Sequence, residues 1–365
     1  MCLLPNAGSF GMAVSTAMIF GLVSLMFLDT SINMAMQPFK MMVGDMVNEK
    51  QKGLAYSIQS FLCNAGSLVG FLFPFIFTWI GISNIAPQGV VPDSVIYSFY
   101  IGAAILILCV IYTTVKVKEM PPAEYAEYHG ITEEEKKEKI NMVKLLVKAP
   151  KAFWTVGLVQ FFCWFAFMFM WTYTNGSVAA NVFDAPTVET VVNGASKIVL
   201  DTKSIQYQNA ADWVGVLFAV QAIGSVLWAV CIPMFKNRKL IYSLSLVLGG
   251  IGFISTYFVH NQYVLFISFL LIGCAWAAML ALPFTILTNA LSGGHMGTYL
   301  GLFNGTICIP QIVAATLGGS ILALFTPKGM LPPEINMLVM AGVMLIIGAV
   351  CVYLIKETKG EQAKA

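Results

Sequence analysis

Nine apolar segments recur along the 365-residue chain, at roughly 10–43, 55–81, 95–116, 152–178, 210–234, 239–259, 262–290, 297–325 and 335–355. Each supplies the ~20 helical residues that a hydrocarbon core demands. In lipid every backbone N–H and C=O must be bonded internally, so apolar segments of this length fold as helices. The chain is thereby confined to an all-α polytopic membrane protein with about nine transmembrane helices. Its composition agrees: 58% of residues are hydrophobic and 10% charged, whereas soluble domains carry about a quarter charged.

The few charges orient the chain. Most of the 20 Lys and Arg residues fall at Lys50/Lys52, between Lys116 and Lys151, at Lys236/Arg238/Lys239, and in the tail with Lys356, Lys359 and Lys364. These links alternate correctly, so the positive-inside rule puts them and the C-terminus in the cytoplasm, with the chain multi-pass in a plasma (inner) membrane. An odd number of spans places Met1 outside. No basic n-region or small-residue cleavage site marks the first apolar segment as a cleaved signal. The expectation is that N-terminal spans are missing from this sequence. The net charge of +2 gives no reason to expect a nucleic-acid partner.

Three parts are expected: residues 1–116 with three helices, a charged cytoplasmic link at 117–150, and a six-helix bundle at 151–365. Within the link, Ile140, Val143, Leu146 and Val147 recur at helical spacing against Lys144 and Lys148, which predicts a short amphipathic helix on the membrane surface. The external link at 179–209 predicts a hairpin from Val188–Val192 and Ile198–Asp201, with Asn193-Gly194 in the turn.

Polar residues inside the spans carry the functional reading. At 100° per residue, Asp29, Asn33, Gln37 and Lys40 fall within about 80° of arc on one face. An ionised side chain in a span is expensive unless it meets a partner or a water-filled cavity, so this face reads as the lining of a solute pathway. Asp29 and Lys40 lie roughly 16 Å apart along the axis and cannot neutralise each other. Asp29 must find a partner on another helix or hold a proton, which suits a proton-coupled carrier. Pro38 removes the donor for the Met34 carbonyl and loosens the helix beside the site. Further on, Gln160, Trp164, Met168, Trp171 and Asn175 form a second stripe within about 80° of arc. Aromatic rings take apolar C–H faces and amides pair with hydroxyls, a surface suited to sugars. Gln221, with Ser225 and Trp228, shares a face in the next span. Asn304 and Gln311, seven apart, share another, with Pro310 between them. Gly297, Gly301 and Gly305, like Gly66 and Gly70, have the four-residue spacing that lets helix backbones approach.

Enzyme signatures such as HExxH, GxSxG and the Walker loop are missing, so no enzymatic activity is expected. The eight cysteines are scattered without a CxxC pair, and no disulfide framework or metal site is expected.

Leu28-Asp29, Asn33, Gln37-Pro38, Lys40 and Asp45 resemble the fourth transmembrane helix of the sucrose/proton symporters within the major facilitator superfamily. That helix carries Asp, Asn, Gln, Pro, Arg and Asp in this order. Gly301-Leu302-Phe303-Asn304, running on to Ile309-Pro310-Gln311, resembles the family's eleventh helix, and Gln160-Phe161 with Trp164 the start of its seventh. The resemblance implies a two-bundle fold with alternating access, of which the fourth to twelfth helices are present. It also implies proton-coupled uptake of a disaccharide or glucoside. By position, Asp29 corresponds to the proton site and Lys40 to the basic residue that engages it or the sugar. Asn304 and Gln311 would line the substrate side of the second bundle. Lys40 stands where that family has Arg and gives up its planar fork. The resemblance leaves a sodium-coupled glycoside symporter as one alternative. A non-transporting sensor, scaffold or inactive fragment is the other. The expected partners are a small sugar and the lipid bilayer. A monomer is expected, with no cofactor beyond a coupling proton or sodium ion.

Overall fold

The computed structural model describes residues 14–48, 51–82, 93–118, 142–192, 195–290, 296–327 and 329–355, with a few isolated positions between them. Three long helices come first: α1 (Val14–Met46), α2 (Lys52–Trp79) and α3 (Asp93–Lys116). A short α4 (Met142–Val147) precedes α5 (Lys151–Asn181) and the strands β1 (Thr187–Val192) and β2 (Ala195–Leu200). Then follow α6 (Ile205–Cys231), α7 (Arg238–Ser255), α8 (Leu265–Ala290), α9 (Met296–Phe303), α10 (Gly305–Phe325) and α11 (Ile335–Cys351). Eight spans among the described residues are long and apolar enough to cross a membrane, and α2 has 28 residues. The protein is an all-α multi-pass membrane protein.

Local chemistry sets several boundaries. The side chains of Ser204 and Asn237 accept hydrogen bonds from Tyr207 N and Leu240 N, capping α6 and α7. The single segment expected at 297–325 is interrupted at Asn304, between α9 and α10. There Asn304 N–H is shared between the Leu300 and Gly301 carbonyls, both at 3.2 Å. Pro310 lies inside α10 and supplies no donor for the Thr306 carbonyl. The hairpin is present, antiparallel, from Thr187↔Leu200 to Val192↔Ala195; Asn193 and Gly194 lie outside the described residues. Of the expected amphipathic segment, α4 is described and Ile140 is not. Tyr299 donates to the Leu145 carbonyl at 3.2 Å, fixing α4 to α9.

By their contacts the residues form two units, Met1–Met46 with Gly66–Glu138, and Val47–Ala65 with Lys139–Ala365. The first half of α2 belongs to the second unit, where Tyr56 stacks on Phe284 and Ser60 donates to the Ala277 carbonyl at 3.3 Å. In the first unit, Phe77 is buried and meets Tyr97, which joins the end of α2 to α3. None of the described residues in the apolar window of α1 is buried.

The second unit is built around α5, whose inner positions Val156, Val159, Cys163, Ala166, Phe167 and Phe169 are fully buried. Small residues bring its other helices together. A Cβ added at Gly250 of α7 would come within 2.9 Å of the Gly342 carbonyl of α11. One at Gly273 of α8 would come within 2.7 Å of Ser225 N of α6 and would overlap the Gln221 carbonyl. Membrane helices gain no hydrophobic force from pairing, so backbone approach of this kind supplies the attraction. The glycines singled out by spacing behave differently. A Cβ at Gly66, Gly70 or Gly301 would meet nothing within 4 Å, and one at Gly305 would meet Ile309 of its own helix at 3.8 Å. Within the second unit, close backbone approach is seen at Gly250 and Gly273 rather than at Gly301 or Gly305. Gly297 is half-buried.

Candidate functional site: the polar wall of α5 and α8

The α5 stripe is the most developed polar feature of the second unit. Gln160 is fully buried, Trp164 and Asn175 are half-buried, and Trp171 is exposed. Gln160 Oε1, Trp164 Nε1 and Asn175 Oδ1 are buried atoms without a hydrogen-bond partner. Each such orphan costs about 1–3 kcal/mol relative to a satisfied group. The rings beside them form a cluster. Trp276 of α8 meets Trp164 and Trp171 nearly edge-on, with centroids 5.7 Å away in both cases. Phe167 backs it at 4.8 Å. Spacing within α5 identified two of the three tryptophans. Trp276 has no polar companions at helical spacing, and its one sequence signal is its position in the middle of a span rather than in an interfacial belt.

Gln160 also has a structural task that its own helix does not reveal. Pro283 lies inside α8, four residues beyond Met279, so the Met279 carbonyl has no intrahelical donor. Gln160 Nε2 donates to that carbonyl at 3.0 Å. The amide of α5 thus repairs the proline gap in α8, and the same bond fixes its Oε1.

The other expected site residues are distributed as follows. Gln221 and Ser225 are buried in the tight crossing of α6 and α8, and Trp228 Nε1 donates to Ser245 Oγ at 2.8 Å, joining α6 to α7. Asn304 sits at the α9–α10 break, with Nδ2 3.8 Å from Cys308 Sγ and Oδ1 buried and unpartnered. Gln311 is half-buried on α10. Among the described residues no hydrogen bond joins Asn304 or Gln311 to the α5 stripe. In the first unit Asp29 is exposed and Lys40 half-buried, with Pro38 inside α1. Asn33 Nδ2 donates to the Asp29 main-chain carbonyl at 2.9 Å, so the amide is spent on its own helix and not on the carboxylate. The Gln37 side chain lies outside the described residues.

A mostly apolar groove of about 520 Å³ is lined by Ile254, Tyr257, Phe258, Phe325, Asn336 and Val339, and includes none of these polar groups. We place the candidate site at the α5–α8 wall, because binding a polar solute needs several convergent donors and acceptors, and the groove offers Tyr257 and Asn336 among seven apolar side chains. Among the described residues no group of three or more His, Cys, Asp or Glu is placed to hold a metal ion.

A family model described as Major Facilitator Superfamily matches residues 185–365. A major facilitator superfamily transporter, FucP, solved in the outward conformation, superposes with a TM-score of 0.64 at 13% identity, covering 98% of this chain and 80% of that one. A variant of the E. coli fucose:proton symporter FucP gives a TM-score of 0.58 at 14% identity, over 98% of this chain and 82% of that one. No curated protein sequence matches the chain. At such identities the likeness establishes the fold: the chain has the major facilitator fold.

Proposed function

We propose that the protein is a secondary active transporter, carrying a small sugar or glycoside together with a proton across the membrane by alternating access. The observation that carries this reading is the α5–α8 wall, where two acceptors and one donor are buried without partners beside three tryptophans. A pyranose offers hydroxyls to the first and an apolar C–H face to the second. The fold shared with a fucose:proton symporter supports sugar as the substrate class. A disaccharide or glucoside is the substrate the sequence resemblance favours. In this reading Asp29 carries the coupling proton and Lys40 modulates it, with Asn33 and Gln37 as polar neighbours on α1. Asn304 and Gln311 extend the substrate side along α9 and α10.

Counterflow in proteoliposomes containing the full chain, with a panel of labelled disaccharides, glucosides and fucose, tests the substrate class. An imposed inward proton gradient in sodium-free buffer should drive accumulation, and a protonophore should collapse it. Asp29→Asn should lose accumulation while keeping exchange. Absence of counterflow with every sugar removes the transporter reading; a strict sodium requirement replaces the coupling ion; undiminished accumulation by Asp29→Asn relieves that residue of its role.

A further inference from the structure

Glu334 stands immediately before α11, at the end of the link from α10, and takes no part in the site above. Its carboxylate lies against Gly176 of α5, where an added methyl group would overlap both carboxylate oxygens and the carbon between them. Gly176 therefore leaves a notch in α5 that the carboxyl fills. One turn earlier, the Tyr173 hydroxyl lies over Gly318 of α10, where a Cβ would come within 2.6 Å of it. Gly176 thus admits the acid, and Gly318 admits the tyrosine that faces it.

Among the described residues the surroundings of that acid are uncharged. Tyr173 is the titratable group facing it from α5, and Gly318 is the position that α10 brings to Tyr173. Ser177, Asn181, Thr256, Leu265 and Phe269 are the neighbours brought to the first turn of α11 from α5, α7 and α8, and none carries charge. No hydrogen bond or ion pair to the Glu334 carboxylate is present among the described residues; Lys328 lies outside them. A carboxylate in such a place loses hydration without gaining a cation, which favours its neutral form. Burial alone pushes Glu334 up to about 7.

We propose that Glu334 is a proton-binding site of the second unit, seated in the Gly176 notch when neutral and driven out of it when the proton leaves. The ligand is a proton and the moving part is the first turn of α11 against α5. Nothing in this depends on a sugar being the transported solute.

Infrared titration of the carboxylic acid band, on the full chain in lipid nanodiscs from about pH 5 to about pH 9, reads the site directly, because an ordinary Glu titrates near ~4.3. The wild type should show a carboxyl with a midpoint near 7 that is absent from Glu334→Gln. Gly176→Ala fills the notch and should weaken proton binding at least tenfold, moving the midpoint toward the ordinary range. A wild-type protein with no carboxyl titrating in the neutral range overturns the proposal, as does a band of undiminished amplitude in Glu334→Gln or an unmoved midpoint in Gly176→Ala. Should Glu334→Gln not fold, the wild-type midpoint and its response to Gly176→Ala decide the matter without it.

Discussion

The bond from Gln160 to the Met279 carbonyl makes a quantitative prediction, because its partner is orphaned by a proline rather than shared with the helix ladder. Gln160→Leu keeps the volume and the burial but removes the donor, leaving the carbonyl without either of its possible partners. Interhelical hydrogen bonds in membranes contribute about 0.6 kcal/mol on average and at most ~1.7. An unsatisfied buried carbonyl belongs at the upper end of that range. Pro283→Ala restores an N–H four residues after Met279, so in that background α8 can satisfy its own carbonyl. The coupling energy between the two substitutions should therefore be about 1–1.7 kcal/mol. Loss of the unpartnered Gln160 Oε1 accompanies Gln160→Leu in both backgrounds and cancels from the cycle. Reversible unfolding in mixed micelles, run on the wild type, both single variants and the double variant, measures it. Equal costs of Gln160→Leu with Pro283 and with Ala at that position would refute the repair, and would leave Gln160 as a site residue alone.

The glycine contacts predict opposite outcomes at similar-looking positions. Gly273→Val must displace the Gln221 carbonyl and Ser225 N, and should cost ~1–3 kcal/mol. Gly301→Ala enters open space and should leave Tm unchanged or raised; comparable losses at both sites in thermal scans would contradict the packing described. Trp276→Ala should weaken glycoside binding by about 0.5–1.5 kcal/mol, ~2- to 12-fold in Kd by calorimetry, with Trp276→Phe retaining most of it. Unaltered Kd in Trp276→Ala would exclude the aromatic wall from the site. For Glu334 the folded protein holds the proton more tightly than the unfolded chain, so its contribution to stability is fully present below about 4.5 and is lost as pH rises through about 7. The decline is on the order of 3 kcal/mol, and Glu334→Gln should flatten it; parallel pH profiles of Tm in the two proteins would show that another group is responsible.

Span existence was legible because bilayer thickness acts on each segment separately. The apolar run around 152–178 had to become a helix whatever it packed against, and it did, as Lys151–Asn181. The hairpin was legible for a similar reason, since alternation and a two-residue Asn-Gly linker are local signals that agree with the observed register. What could not be read are relations between segments. Gln160 and Met279 are 119 residues apart, and nothing near Gln160 announces that Pro283 has left a carbonyl unserved. The glycine spacing at 297, 301 and 305 states that a backbone can be approached from one side, not that another helix lies there. Gly224 and Gly273 lack that spacing yet form the close crossing, because which faces meet is decided by the whole bundle.

The same distinction separates the two carboxylates. Asp29 was conspicuous because it interrupts an apolar run, and a charge in a span demands explanation from sequence alone. Glu334 follows Pro332-Pro333 in a link, where an acid is unremarkable until α5 is seen to present Gly176 to it. The exposed acid of α1 and the enclosed acid at α11 differ in what confines them. Asp29 has its nearest amide bonded to main chain, whereas Glu334 is confined by a notch whose shape depends on one missing side chain. A coupling group has to trade its proton against a change of surroundings, and a carboxyl seated between helix ends changes surroundings whenever those ends part. Transport measurements on Asp29→Asn and Glu334→Gln side by side therefore separate two ways of coupling: loss of accumulation in the first variant alone assigns the work to the α1 face, and loss in the second assigns it to the closing of α11 on α5.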